Sequence, residues 1–456
     1  MADMFDLIII GAGPGGYEAA ILASEKGMKV GLIEKEYLGG TCLNHGCIPT
    51  KTLLHAANLY REFQQTEIFG VKAKDVTYDM ESMQQRKNEV IEQLRAGIDS
   101  LMKRHKITVF EGTGTITNIH TVVIQGKENI TIEGENILVA TGSVPSVPPI
   151  QGIELPNIWT SNEILEKSDK VMERLVIIGG GVIGMEFASI YSALGCQVTV
   201  IEALDRILFQ MDKEIAQNLK LILKKRGVDI HTSAKVISFQ KSEKETLICY
   251  YEEKGEKVAV ETDGILVAAG RRANTAHLTD GEVVFAMERD KICVNENYQT
   301  NYDNIYAIGD VIGGLQLAHM ATAEGNWAVC HMKGEKAKTN LKTVPSCVYT
   351  NPEIASVGIT AEEAKELEIP IVVKKYLMSA NGKSLLSNQE RGFIKVVAQE
   401  KTGEIIGAQM MCARATDMIS EFTMAITQKM TLENMASVIR PHPTFSEGIT
   451  EVTKGA

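Results

Sequence analysis

The feature that most restricts the fold of this chain is a unit that occurs twice. Leu7-Ile8-Ile9-Ile10 is a short apolar run of the kind a buried parallel strand requires, and it feeds Gly11-Ala12-Gly13-Pro14-Gly15-Gly16. An alanine-rich stretch to about Lys26 has helical composition, and Val30-Gly31-Leu32-Ile33-Glu34 makes a second strand that ends in an acid. The second copy runs from Leu175–Ile178 through Gly179-Gly180-Gly181-Val182-Ile183-Gly184 to Val198-Thr199-Val200-Ile201-Glu202. In both copies the acid stands 23 residues after the first glycine.

Three glycines at this spacing are weak evidence alone. Between a strand and a helix, with a second strand ending in an acid, each has a physical task. Gly11 and Gly179 make the tight turn, Gly13 and Gly181 admit a pyrophosphate, and Gly16 and Gly184 let helix and strand approach. Glu34 and Glu202 can accept hydrogen bonds from ribose hydroxyls. Two such units imply two dinucleotide sites. The far half repeats as well: Ile137–Ser143, with Thr141, Gly142 and Ser143 at its end, parallels Ile265–Arg271, with Gly270. Each reads as a strand that ends at a glycine beside a cofactor.

A chain of 456 residues is expected to divide into two to four domains. Its 44% hydrophobic and 23% charged content is that of a water-soluble globular protein. A net charge of −11 argues against nucleic acid or an anionic membrane surface as partner, and no apolar run approaches a membrane span. The acidic start, Met1–Asp6, runs straight into a strand, so no secretory or transit peptide is expected and a cytoplasmic location is. Of eight cysteines only Cys42 and Cys47 are close in sequence, and no His/Cys cluster has zinc spacing, so no metal is expected.

Those two cysteines lie in Gly39-Gly40-Thr41-Cys42-Leu43-Asn44-His45-Gly46-Cys47-Ile48-Pro49-Thr50-Lys51. On a regular helix an offset of five raises the second side chain by about 7.5 Å and turns it away. A disulfide usually needs Cα atoms roughly 4.4–6.8 Å apart. If the two pair, the helix must be irregular, and Gly46 and Pro49 supply the irregularity. The spacing by itself is met equally by two buried thiols.

The whole stretch closely resembles the active-site segment of the FAD-dependent pyridine nucleotide–disulfide oxidoreductases, and the resemblance extends over essentially the whole chain. It implies an α/β fold with two Rossmann-like dinucleotide-binding domains and a C-terminal α+β dimerisation domain. The expected division is 1–148 for FAD, 149–273 for NAD, 274–342 as a central FAD-contacting segment and 343–456 as the interface domain. Thr300 with Ile305-Tyr306-Ala307-Ile308-Gly309-Asp310, followed by Leu317-Ala318-His319-Met320-Ala321, resembles the family's second FAD motif. It implies that Asp310 bonds the ribityl chain and that the helix opening at Ala318 lies against the flavin. Gly40 and Thr41 fall in the matching FAD-contacting turn.

The resemblance also assigns chemistry. Cys42 matches the interchange thiol and Cys47 the thiol beside the flavin, as a redox disulfide. Lys51, four residues on, matches the lysine near the reactive part of the flavin, and Glu186 the acid that pairs with it. His442 and Glu447, in Pro441-His442-Pro443-Thr444-Phe445-Ser446-Glu447, match the base and its orienting carboxylate, which the family contributes across a homodimer interface. The Glu202 acid favours NAD over NADP, with Arg206 close behind it in sequence. Ala203–Leu208, Gly270–Thr275 and Ala380–Ser384 are similar to the branch that oxidises dihydrolipoamide with NAD. That branch implies a lipoyl-bearing protein of a 2-oxo acid dehydrogenase or glycine cleavage system as partner. A related NAD(P)H-dependent reductase of another disulfide is the alternative. Two positions depart from the pattern: His45 stands where an apolar residue is usual, and Pro441 precedes the matched histidine. His45, two positions before Cys47, is expected to point away from it.

Overall fold

Two parallel sheets form because each glycine unit starts with a strand too apolar to face water. The computed structural model describes residues 4–167, 171–389 and 391–454, so the acidic start at 1–3 and the last two residues lie outside it. In the first sheet, strand Met4–Ile10 pairs in parallel with Val30–Glu34 on one side and Asn129–Val139 on the other. Helix α1 (Pro14–Glu25) connects the first two. Ile305–Ala307 adds in parallel beyond 129–139, which brings the central segment back to this sheet. Leu7, Ile8 and Ile9 are fully buried between the two faces.

Residues 107–132 hold more than an antiparallel meander. Strands Thr113–Asn118, Thr121–Gln125 and the start of Asn129–Val139 do form one, but Thr108–Glu111 pairs in parallel with Val30–Glu34. A parallel neighbour needs a long crossover, and the chain supplies one. Helices α2 (Gly40–His45), α3 (Cys47–Phe63) and α4 (Met80–Arg104) lie between the two strands. Asp79 caps α4 by accepting from the Glu81 and Ser82 N–H groups. The buried face of α4 is not a plain apolar stripe: Met80, Ile91, Ile98 and Met102 share it with two polar side chains. Gln84 and Lys87 are buried there and donate to the carbonyls of Lys167 and Leu165, at the end of helix α5 (Ser161–Leu165).

The second sheet is parallel throughout, in the order 229–232, 197–202, 174–178, 264–267, 158–160. Helix α6 (Val182–Ala193) follows the second glycine turn, and α7 (Lys213–Lys225) leads to its edge. A three-stranded antiparallel sheet, 234–262, occupies the place that the 113–139 meander has in the first unit. Helix α8 (Ala318–Met332) packs on α1, close enough that a Cβ on Gly325 would lie 2.8 Å from the Gly15 carbonyl oxygen.

The C-terminal part is a five-stranded antiparallel sheet, 346–348, 353–358, 405–412, 393–399, 371–377. Helices α9 (Ala361–Glu366), α10 (Gly382–Leu386), α11 (Ala415–Thr427), α12 (Leu432–Ala436) and α13 (Glu447–Thr453) surround it. Its core includes Ile394, Val396, Phe422 and Ile449. Buried Lys395 of this sheet meets both carboxylate oxygens of Asp212 at 3.0 Å and Glu214 at 2.9 Å, which ties the start of α7 to it. Among the described residues no helix is long and apolar enough to cross a membrane.

Candidate active site

The cysteine segment is built on the first glycine turn. Gly39 donates its N–H to the Ala12 carbonyl at 2.8 Å. A Cβ on Gly40 would lie 2.6 Å from the Cα of Gly13, so only glycine lets the two backbones touch there. Short α2 then carries Cys42 and stops at Gly46, whose φ of −145° breaks the helix, and α3 begins at Cys47. The break brings the two Cα atoms to 4.7 Å, and the Cys42–Cys47 disulfide is formed. Asn44 holds the segment from behind: its amide donates to the Leu38 and Gly40 carbonyls and its oxygen accepts from Arg95 of α4 at 2.7 Å.

Along α3, Lys51 reaches across to the second unit. Its ammonium stands 2.8 Å from Glu186 of α6, a carboxylate whose side chain is only 3% exposed. The other oxygen of Glu186 accepts the Tyr349 N–H at 3.1 Å, and Lys51 Nζ lies 4.8 Å from the Tyr349 ring centre. A buried carboxylate with one cation and one N–H donor is satisfied only as a set; without Lys51 it would be a buried unpaired charge. The free thiol of Cys347 borders the same space, and burial pushes it up to about 11, so it is protonated at neutral pH.

The two terminal acids are held alike. Glu34 accepts the Ala12 N–H at 2.8 Å and the Glu36 N–H at 3.0 Å. Glu202 accepts the Gly180 N–H at 2.6 Å and the Leu204 N–H at 2.7 Å. Arg206 does not approach as a counter-charge by way of these bonds; it donates to the Phe209 carbonyl at 3.1 Å and lies over the Phe209 ring.

One cavity of about 1980 Å³ joins these parts. Gly11, Gly13, Glu34, Gly40, Thr41, Thr141, Gly142 and Ser143 line it from the first unit, with Cys42, Cys47 and Lys51, and Asp310 and Ala318 line it from the central segment. Gly179, Gly181, Glu186, Glu202 and Gly270 line it from the second. Gly16 and Gly184 do not face it: a Cβ there would sit 1.9 Å from Gly11 O and 2.0 Å from Gly179 O, so they set the helix against its strand. At Gly13 and Gly181 a Cβ would meet nothing within 4 Å. Both residues cap their helices without a side-chain bond, which leaves the first N–H groups of α1 and α6 for an anion. Two open glycine cradles, two helix starts and two ribose acids fit two dinucleotides.

Some site residues carry no signal that singled them out in the sequence. Arg271 donates to the Ser143 hydroxyl and carbonyl, both at 2.7 Å, while Ser143 donates to Asp310. Glu324 of α8 is buried and accepts the N–H of Gly309, beside Asp310, at 2.6 Å. Desolvation raises it to about 7. His45 also lines the cavity. It shares a helix face with Cys42 at i, i+3, and its Nε2 meets Glu36 at 3.0 Å. It does not stand free as a base.

His442 and Glu447 are brought to each other but not to the cysteines' cavity. His442 Nδ1 lies 2.8 Å from Glu447, whose second oxygen accepts the Thr444 N–H at 2.8 Å. That N–H, followed by the histidine, holds the Glu447 carboxyl below its ordinary value. Pro441 lies beside this pair without displacing it, and Thr444 Oγ1 donates to its carbonyl at 2.8 Å. The His442 side chain is 79% exposed in the single chain.

This arrangement of two dinucleotide units around a disulfide has known relatives. A family model described as pyridine nucleotide-disulphide oxidoreductase matches residues 5–325, and that family's dimerisation domain matches residues 344–453. The chain belongs to the pyridine nucleotide-disulphide oxidoreductase family, and it carries the family's dimerisation domain. Among curated relatives, a dihydrolipoyl dehydrogenase of Bacillus subtilis (strain 168) is 40% identical over 100% of this chain and 98% of its own. One from Chlamydia pneumoniae is 38% identical over 98% and 96%. Among solved structures, LpdA from Mycobacterium tuberculosis superposes with a TM-score of 0.91 at 26% identity, covering 99% of both chains. The HOCl-induced flavoprotein disulfide reductase RclA from Escherichia coli, as its Cu(II) complex, superposes with a TM-score of 0.89 at 31% identity over the same shares. The family uses FAD and NAD, and the two cradles are of the right kind for them.

Proposed function

We propose that the chain oxidises dihydrolipoamide, free or on a lipoyl-bearing protein, to lipoamide with NAD as acceptor. The observation that carries this reading is the Cys42–Cys47 disulfide seated on the first glycine turn, with α3 running from it to the Lys51–Glu186 pair at the second. The 1–148 unit would hold FAD through Gly11, Gly13 and Glu34, with Asp310 of the central segment, and the 149–273 unit would hold NAD through Gly179, Gly181 and Glu202. Bound FAD supplies a two-electron acceptor that can pass hydride to NAD.

A substrate thiolate attacks the sulfur of Cys42, forming a mixed disulfide and releasing Cys47 as thiolate. The second substrate thiol then attacks the mixed disulfide, closes lipoamide and frees Cys42. The disulfide gains two electrons, and His442 takes a proton from the substrate dithiol, oriented by Glu447. Because His442 stands apart from the cysteines of its own chain, it would serve the partner subunit of a homodimer. Lys51, fixed by buried Glu186, places a positive charge at the junction of the two cofactor sites. The partner would be a lipoyl protein of a 2-oxo acid dehydrogenase or glycine cleavage system in the cytoplasm.

The likeness to RclA supports a second reading, a reductase driven by NAD(P)H toward a different disulfide. Anaerobic mixing of the protein with dihydrolipoamide and NAD, followed by NADH absorbance, separates them. Rapid NADH, with little NADPH from a matched NADP run, is expected. No turnover in an FAD-loaded dimer sinks the lipoamide reading.

A further inference from the structure

The loop that carries His442 has little of its own to hold it. Residues 437–446 form no helix or strand, Ile439 is 96% exposed, and His442 is largely exposed. One side chain of this loop turns inward. Arg440, two residues before His442, is only 4% exposed. Its Nε and Nη2 donate to Glu421 of α11 at 3.1 and 2.7 Å. Its Nη1 donates to Thr450 Oγ1 of α13 at 2.7 Å and to the carbonyls of Met435 at 3.1 Å and Val438 at 3.5 Å, at the end of α12. Three helices thus converge on one guanidinium. Beyond His442 the loop is fixed separately: Asn381, the N-cap of α10, donates to the Thr444 carbonyl at 3.1 Å, and Glu447 accepts the Thr444 N–H.

We propose that Arg440 is a positioning residue for the proton acceptor: the planar fork that joins Glu421, Thr450 and the end of α12 sets where the loop presents His442. This rests on the reading of His442 as the base. The Glu447 contact fixes the tilt of the imidazole, whereas Arg440 fixes the backbone from which it hangs. A lysine cannot replace it, because an ammonium on a flexible stem has no planar fork to bridge a carboxylate, a hydroxyl and two carbonyls at once.

The test uses the FAD-loaded dimer of Arg440→Ala, Arg440→Lys and Glu421→Gln, each alone and with His442→Gln. Two rates are read: dihydrolipoamide oxidation by NAD, and ferricyanide reduction by NADH, which involves no dithiol proton. Arg440→Ala and Arg440→Lys are expected to lower kcat/KM for dihydrolipoamide at least thirtyfold, and Glu421→Gln about fivefold, with the ferricyanide rate within twofold of the parent. In the His442→Gln background the same changes are expected to cost nothing further, since the positioned group is gone. An Arg440→Ala dimer within threefold of the parent overturns the proposal, as does a loss that persists at full size in the His442→Gln background. If Arg440→Ala does not assemble, Glu421→Gln and Arg440→Lys decide by the same criteria. A His442→Gln dimer that keeps full dithiol turnover instead removes the base reading itself, a result distinct from either.

Discussion

The two glycine units are near copies in backbone and differ in what is attached to them. Residues 11–34 and 179–202 share the turn, the close-packed third glycine, the open second glycine and an acid held by two backbone N–H groups. The first unit, however, is overbuilt. Gly39 and Gly40 dock the disulfide segment on its turn, and α8 packs against α1. In the second unit the acid is followed by a surface loop in which Leu204 and Phe209 stay about half exposed. Nucleotide binding is therefore a local property of the unit, while the redox chemistry belongs to what the first unit has acquired.

The largest effect is expected from the attachment rather than the cradle. Cys47→Ser and Cys42→Ser should each reduce dihydrolipoamide oxidation by about a thousandfold or more, since the bond that accepts the electrons is gone. FAD content and NADH-dependent ferricyanide reduction should survive. Steady-state rates with absorbance at the flavin band check this, and a Ser variant that still turns over the dithiol would break the assignment.

Matched substitutions in the two units come next. A Cβ at Gly16 or Gly184 meets a carbonyl oxygen within about 2 Å, so Ala at either must push its helix from its strand. Overpacking of this kind costs about 1–3 kcal/mol or more. Gly16→Ala should release FAD during purification; Gly184→Ala should keep FAD and raise the KM for NAD at least tenfold. If both lose FAD, the units are not independent.

A smaller difference is expected at the acids. Glu202→Ala should weaken NAD and narrow the preference over NADP by about 1–2 kcal/mol, or roughly tenfold, because a hydrogen-bonding carboxylate and its charge are both lost. Kinetics with the two nucleotides read this directly. An unchanged ratio would place discrimination elsewhere, with Arg206 the next residue to substitute.

Much of this was legible in the sequence because glycines with strict steric tasks leave a local mark. Gly11, Gly16, Gly179 and Gly184 could be assigned from spacing, and the break at Gly46 from the conflict between a helix and a short S–S reach. What could not be read is what depends on tertiary approach. Thr108–Glu111 joins the parallel sheet only because α4 carries the chain back to its edge, and no periodicity in four residues encodes that. His45 meets Glu36 at 3.0 Å and Glu166 at 3.7 Å, partners that its spacing to Cys47 could not show. Arg271, Arg440 and Glu324 bond partners far off in sequence or in irregular backbone, so their residue types were visible and their roles were not.

Glu324 gives the finest probe of the first unit, because it sits on α8, the helix that packs against α1. Its carboxyl is buried, and desolvation raises it to about 7, opposed by the Gly309 N–H and assisted by the nearby Asp310 charge. The folded value lies above the ordinary 4.5, so the folded state binds this proton more tightly than the unfolded chain does. The stability it contributes is fully present below about pH 4.5 and is lost as pH rises through about 7, reaching on the order of 2–3 kcal/mol across that window. Glu324→Gln keeps an oxygen for the Gly309 N–H and removes the ionisation. Thermal unfolding of the two proteins at pH 5 and pH 8 should therefore diverge: the parent loses several degrees more than the variant between the two pH values. Parallel slopes would mean that Glu324 ionises without cost in the fold, and that α8 encloses the first cradle less tightly than its contact with α1 implies.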